Sequence, residues 1–183
     1  MINNNAVTGI GPTTGAAQNG IQIGFGAHGR VVGNAVADNV YSPCISAAVC
    51  PANATGILIF QSDGVTVASN TTATNQVGIL VAANNSAVRM NTVLNSVALD
   101  GIALVGDGSV VNSNDISHSD EAAVFIQGNN NTISDNEFVG ASFGILKISG
   151  SAGTNHFGNQ YFATLVRVQD PAPQRKFTPI PSR

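Results

Sequence analysis

Half of the acidic side chains of this sequence fall within one short stretch. Asp115, Asp120, Glu121, Asp135 and Glu137 lie there, with His118 among them, in a chain that has 10 Asp and Glu in all. Carboxylates brought together can do two kinds of chemistry. They can hold a hard cation such as calcium through their oxygens, or they can divide the roles of general acid and general base across a polysaccharide. Asp115 and Glu137 are the candidate catalytic pair, because each directly follows an Asn, in "NSNDIS" and "SDNEFV". His118, Asp120 and Glu121, in "SHSDEA", are candidate binding residues beside them. The competing reading is plain: solvated side chains that keep an otherwise neutral protein soluble.

Other chemistry-bearing residues are sparse. No Arg or Lys lies close to the pair in sequence, although Lys147 can approach from the next repeat unit. Phe60 and Phe125, with Phe25, are the aromatics placed to stack on a sugar ring. Cys44 and Cys50, in "PCISAAVCP", can close a small disulfide loop or remain two buried thiols. A structural zinc site takes four ligands, and no His or second Cys pair lies near them, so no metal is expected there. Phosphate-loop, redox and nucleophile-elbow signatures are absent. The net charge of −3 and the lack of a basic stripe argue against nucleic acid. No apolar run reaches the roughly 20 residues of a membrane span. The opening "MINNNAVTGIGP" has neither the basic nor the apolar region of a signal peptide. The chain is then cytoplasmic, or a mature or trimmed piece. Its uncharged polar composition favours an extracellular or cell-surface place.

The elements that must position these residues follow from a repeat. Gly-apolar starts recur at Gly56, Gly78, Gly101, Ala123 and Gly144, in steps of 22, 23, 22 and 21. Closing Asn residues recur at Asn70, Asn91, Asn114, Asn136 and Asn159, in steps of 21, 23, 22 and 23. Two independent markers share one period, and such a period means a stacked architecture. Within a unit the apolar residues alternate: Ile57 with Ile59, Ile79 with Val81, Ile102 with Leu104, Val124 with Ile126. Short strands bounded by "SDG", "ANN", "GDG" and "GNNN" fit this spacing, and no helix-length pattern interrupts them. Parallel strands without crossover helices require a solenoid. Charged residues make up only 9% of the chain, against about 25% in a typical domain, so Asn must supply much of the polar bonding. Stacked Asn side chains, with Asn34 and Asn5 continuing the row, are expected to form an internal ladder.

This pattern resembles the right-handed parallel β-helix repeats of the pectate-lyase-like superfamily, including the periplasmic accessory proteins of nitrous oxide reductase assembly and carbohydrate-binding or sugar-hydrolase β-helices. The resemblance implies an all-β, single-stranded, right-handed parallel β-helix of about six coils, roughly 22 residues each, over 1–162, with a Pro-rich strand and tail at 163–183. It implies little about activity, since such folds host lyases, hydrolases, epimerases and non-catalytic proteins. "GFGAHGR" resembles the Gly-His-Gly turn of polygalacturonases, but the paired Asp and the Arg-x-Lys of that family are absent. The Asp-Pro-His-Glu motif of alginate epimerases is absent too.

Departures from the repeat carry further expectations. "INNNAVTG" matches "ISDNEFVG", so the chain opens in mid-coil. Either the segment Ile10 to Asn19 folds over that end, or the chain is the C-terminal part of a longer β-helix, or two open ends meet in an oligomer. Insertions fall near 10–19 and 39–54. Residues between the inward positions of the first strand include Leu58, Leu80, Phe125 and Leu146, which gives an outward apolar row. Exposed apolar rows mark interfaces, so a homo-oligomer through this face is expected. Lys147 takes an inward position, where an unpaired charge is costly. The function expected is a non-catalytic structural or glycan-binding module. The alternative is a polysaccharide lyase, hydrolase or epimerase acting through Asp115 and Glu137. Neither reading requires a cofactor, although calcium can serve either.

Overall fold

A computed structural model describes residues 1–42, 44, 50 and 52–172; the Pro-rich segment 173–183 lies outside the described residues. Three sheets of seven strands each run the length of the molecule. One strand of each sheet is used per coil, and every pairing is parallel. Asp115–Ser117, for example, lies between Thr92–Leu94 and Glu137–Val139. This is the parallel β-helix, with seven coils where about six were expected. The additional coil comes from the two ends. Ile2–Asn3 and Ala6–Thr13 pair in register with the second coil, and Val166–Ala172 pairs with Phe143–Ile148, so the solenoid continues past residue 162. Gly11–Thr13 of the segment expected to fold over the end are strand instead. They prolong the second sheet as far as Thr13, paired with Asn39–Tyr41. Gln18 secures them by accepting from the Ile10 N–H at 2.9 Å and donating to the Gly11 carbonyl at 3.0 Å.

Alternation builds the core. Ile57 and Ile59, Ile79 and Val81, Ile102 and Leu104, and Val124 and Ile126 point inward with Val67, Val88, Val111 and Ile133 to form one continuous apolar column. Every coil turns through left-handed corners. Between the first and second sheets the corner residues are Asn4, Gly33, Ser69, Met90, Ser113, Asp135 and Gly158, with φ between 54° and 67°. Only some of these residue types favour that conformation by themselves, so stacking holds the others in it. The Gly-apolar starts have a different cause. A Cβ on Gly78 would lie 2.5 Å from Val93 Cγ1, and one on Gly101 would lie 2.5 Å from Ile116 Cγ2. The backbone enters the third sheet too close to the inward side chain of the second for anything larger.

The expected Asn ladder is complete. Asn5, Asn34, Asn70, Asn91, Asn114, Asn136 and Asn159 each follow a corner, and each amide donates to the next Oδ1 at 2.9–3.0 Å. The same Oδ1 also takes the backbone N–H of the preceding Asn. The second amide hydrogen goes to main-chain carbonyls, as Asn114 does to Val88 and Asn112.

The outward apolar row is not exposed. Leu58, Leu80, Phe125 and Leu146 are 1%, 0%, 0% and 4% accessible. They point away from the core, as alternation requires, but they form a second buried cluster with Cys44, Val77, Leu99 and Ala122, against which Cys50, Ala98 and Phe143 pack. Cys44 and Cys50 of the insertion and the 95–100 connection therefore cover part of this face from within the chain, and the surface argument for self-association no longer applies. Lys147 does lie inward, in register with Ile126, and its charge is met by Asp170 at 2.6 Å.

Candidate functional site

The outer face of the second sheet carries the carboxylate pair. Reading across the coils, one outward row runs Ala35, Thr71, Thr92, Asp115, Glu137, Gln160, each in register with the next and exposed except at the half-buried Thr92. The inward neighbours Ile116 and Phe138 anchor the strands in the core. The backbone of the pair is fixed by the Asn ladder: Asp115 N–H donates to Asn91 O and Glu137 N–H to Asn114 O, both at 2.9 Å. Asp115 and Glu137 thus stand side by side at the strand spacing of about 4.8 Å, on a rigid, solvated sheet.

The structure does not bring the other candidates to them. His118 occupies the left-handed corner at the far end of its strand, with φ 55°, beside Gly140. Asp120 is a turn staple. Its Oδ2 accepts the Ala98 N–H at 2.6 Å, and its carbonyl accepts the Ser142 hydroxyl at 3.0 Å. Glu121 is half-buried at the start of the third sheet. Asp135 sits at the opposite corner, where it accepts from the Asn112 amide at 3.1 Å. Of the aromatics, Phe125 is buried and offers no face to a sugar. Phe60 is half-buried and packs edge-on against the exposed Phe25, with centroids 5.5 Å apart.

Two further arrays escaped the sequence reading. Asn39 and Asn75 form a second short ladder, five residues after Asn34 and Asn70, with Asn39 Nδ2 donating to Asn75 Oδ1 at 2.8 Å. On the third corner an exposed column alternates Asp63, Asn84, Asp107 and Asn129. Each side-chain oxygen there accepts the N–H of the residue one coil on, at 2.7–2.9 Å. The column was visible as a recurrence at the coil period, the Asn39–Asn75 pair only as the 36-residue step it shares with Asn34 and Asn70, and both are scaffold.

Soft donors are dispersed. His28 precedes the strand Arg30–Val32, Met90 and His118 sit at different corners, and His156 ends the row that begins at Ile2. Cys44 and Cys50 are joined in a disulfide, with Cα atoms 4.2 Å apart. Among the described residues no three His, Cys, Asp or Glu side chains gather into a group that could hold a metal ion.

The family model described as "Periplasmic copper-binding protein (NosD)" matches residues 1–173. No curated protein and no solved structure matches the chain. A match across almost all of the solenoid, together with three all-parallel sheets, shows that this chain belongs to the NosD family of periplasmic copper-binding proteins.

Proposed function

We propose that the chain is a non-catalytic binding module whose recognition surface is the outer face of the second sheet. The observation that carries this reading is the shared environment of Asp115 and Glu137. Acid–base catalysis by two carboxylates works when their surroundings push their pKa values apart. Here both side chains leave the same sheet in the same direction, both are exposed, and both backbones hang from equivalent ladder rungs. The pair is therefore presented as two like, solvated ligand groups rather than as a buried carboxyl beside an exposed one. A flat row of Thr71, Thr92, Asp115, Glu137 and Gln160 suits an extended glycan laid along the solenoid axis, with hydroxyl and carboxylate groups repeating once per coil. An acidic glycan would meet like charge at Asp115 and Glu137, so its binding requires a bridging divalent cation such as calcium.

The family's description names copper, and the described residues do not fit it. Copper takes thiolate, thioether or imidazole ligands. Met90 and His118 lie on separate corners, His28 and His156 lie elsewhere, and the two cysteines are consumed by their own bond. No step is therefore assigned to copper on this face.

Equilibrium binding of neutral and acidic oligosaccharides, with and without calcium, tests the reading. Calcium-dependent binding of an acidic glycan that falls at least tenfold in the Asp115→Asn/Glu137→Gln double variant supports it. Cleavage of the glycan by the wild type, abolished in that variant, would replace it with the enzyme reading.

A further inference from the structure

The carboxamide ladder has a direction. Each rung donates its backbone N–H and its amide to the Oδ1 of the rung that follows, from Asn5 into Asn34 as far as Asn136 into Asn159. The first rung therefore turns an acceptor, Asn5 Oδ1, away from the stack, and the last turns the donors of Asn159 away from it. The inward residues of the first coil, Ile2, Val7, Ile21 and Ile23, are all apolar. An acceptor end and a donor end of one solenoid suit each other, and a head-to-tail contact of that kind repeats without closing. We propose that the seventh coil is a built stop, which closes the rod against the first coil of a second copy. The residues of this coil carry the proposal, and it is independent of the glycan reading of the second sheet.

Arg167 is the plainest part of the stop. Its register position in the third sheet belongs to Gly20, Gly56, Gly78, Gly101, Ala123 and Gly144 in the earlier coils. A Cβ on Gly78 strikes Val93 of the following coil, and one on Gly101 strikes Ile116 of the following coil. A long side chain at this position therefore takes the place of the next coil. Arg167 has such a side chain, and its guanidinium lies over the Tyr161 ring, 5.8 Å from the centroid, across the end of the core.

The core column changes character at the same end. The rows of Ile133 and Phe138 finish in His156 and Tyr161, and the row of Ile126 continues into Lys147. The last strand, Val166–Ala172, pairs Gln169 with Leu146 and then Ala172 with Ile148, so Asp170 and Pro171 together face the single Lys147. A bulge of this kind re-aims a side chain, and here Asp170 Oδ2 meets Lys147 Nζ at 2.6 Å. Pro171 has no N–H to give to a further strand. Inward charge, a bulge and proline are the devices by which sheet edges avoid pairing with other chains, and all three meet at this edge. A second copy stacked in ladder register would set its Ile2 over His156 and its Ile23 over the ion pair, and burying charge against an apolar side chain is costly.

The test uses the full chain in sedimentation velocity over a wide concentration range, with electron microscopy of the same samples. The wild type is expected to form no end-to-end chains at any concentration. Lys147→Ile/Arg167→Gly/Asp170→Val puts residue types of the repeat back at the stop, and its weight-average mass is expected to at least double and to keep rising with concentration. Adding Ile2→Lys, which places an inward charge on the opposite end, should return the mass to the wild-type value. Arg167→Gly alone keeps the ion pair and is expected to give the same growth at higher concentration, and it decides the matter if the triple variant does not fold. Filaments of the wild type would overturn the proposal. So would wild-type mass in both the triple variant and Arg167→Gly, or growth that Ile2→Lys leaves unchanged. None of these results bears on glycan binding, so the two readings fail separately.

Discussion

A primary carboxamide suits the ladder position because its oxygen accepts twice and its two N–H hydrogens, one of them shared between two carbonyls, reach all three acceptors. Asn114 accepts from the backbone N–H and the amide of Asn91, donates to Asn136 Oδ1, and donates to the carbonyls of Val88 and Asn112. It is fully buried, so water cannot replace any of these partners. Asn114→Ala leaves the Asn91 donors unmet, at about 1–3 kcal/mol for each buried unsatisfied group. Denaturant unfolding should therefore show a loss of about 2–4 kcal/mol for Asn114→Ala. The same change at Asn5, which is exposed at the first coil, should cost much less. Equal losses at the two positions would show that the ladder does not act through buried partners. The last coil offers a second test at this scale. Tyr161 is partly buried, packs edge-on against Phe138 at 5.3 Å, and lies under the Arg167 guanidinium. Burial raises its pKa above the ordinary 10.0, and Arg167 opposes this by lowering it. Because the folded-state pKa is the higher one, the neutral phenol favours folding. That contribution is complete below the unfolded pKa and is lost as pH rises through the folded value. Phenolate absorbance should place Tyr161 above 10.0, and Arg167→Ala should raise it further. A fall in Arg167→Ala would contradict the assignment.

The strands and corners show where sequence reasoning holds and where it stops. Alternation at Ile57 and Ile59 and recurrence of Asn at the coil period were enough to place the core column and the ladder, because both depend on stacking of equivalent positions. The registry of Asp115 beside Glu137 was readable for the same reason. The surroundings of Leu80 were not. Period-two alternation says that Leu80 points away from the first core, and it does. What lies over it comes from an insertion and from the 95–100 connection, which have no period to read. The same limit applies to Asp120, whose role as a staple for Ala98 depends on a turn rather than a strand. These arrangements make Leu80 a core residue on the outside of a sheet. Leu80→Ala should destabilise the chain by about 2–5 kcal/mol, as for any buried Leu, measured by thermal or denaturant unfolding. A change of a few tenths of a kcal/mol, the size expected of an exposed position, would restore the reading of an open apolar face.

On the scale of the whole molecule, seven coils make a rigid rod with three unlike faces. The third sheet is buried on both sides over much of its length. The third corner is held by its exposed Asp and Asn column. The second sheet presents a straight polar row to solvent, and that row carries the adjacent pair of acidic strands. Membership of a periplasmic copper-binding family leaves this division as it stands, because the described residues gather no metal-holding group on any of the three faces. The claim that the second sheet is the recognition surface is tested most directly by backbone amide chemical shifts, recorded while an acidic oligosaccharide is added in the presence of calcium. The account predicts that the largest changes map to Thr92–Leu94, Asp115–Ser117 and Glu137–Val139. Changes confined to the third sheet or to the Cys44–Cys50 loop, with these three strands unmoved, would contradict it.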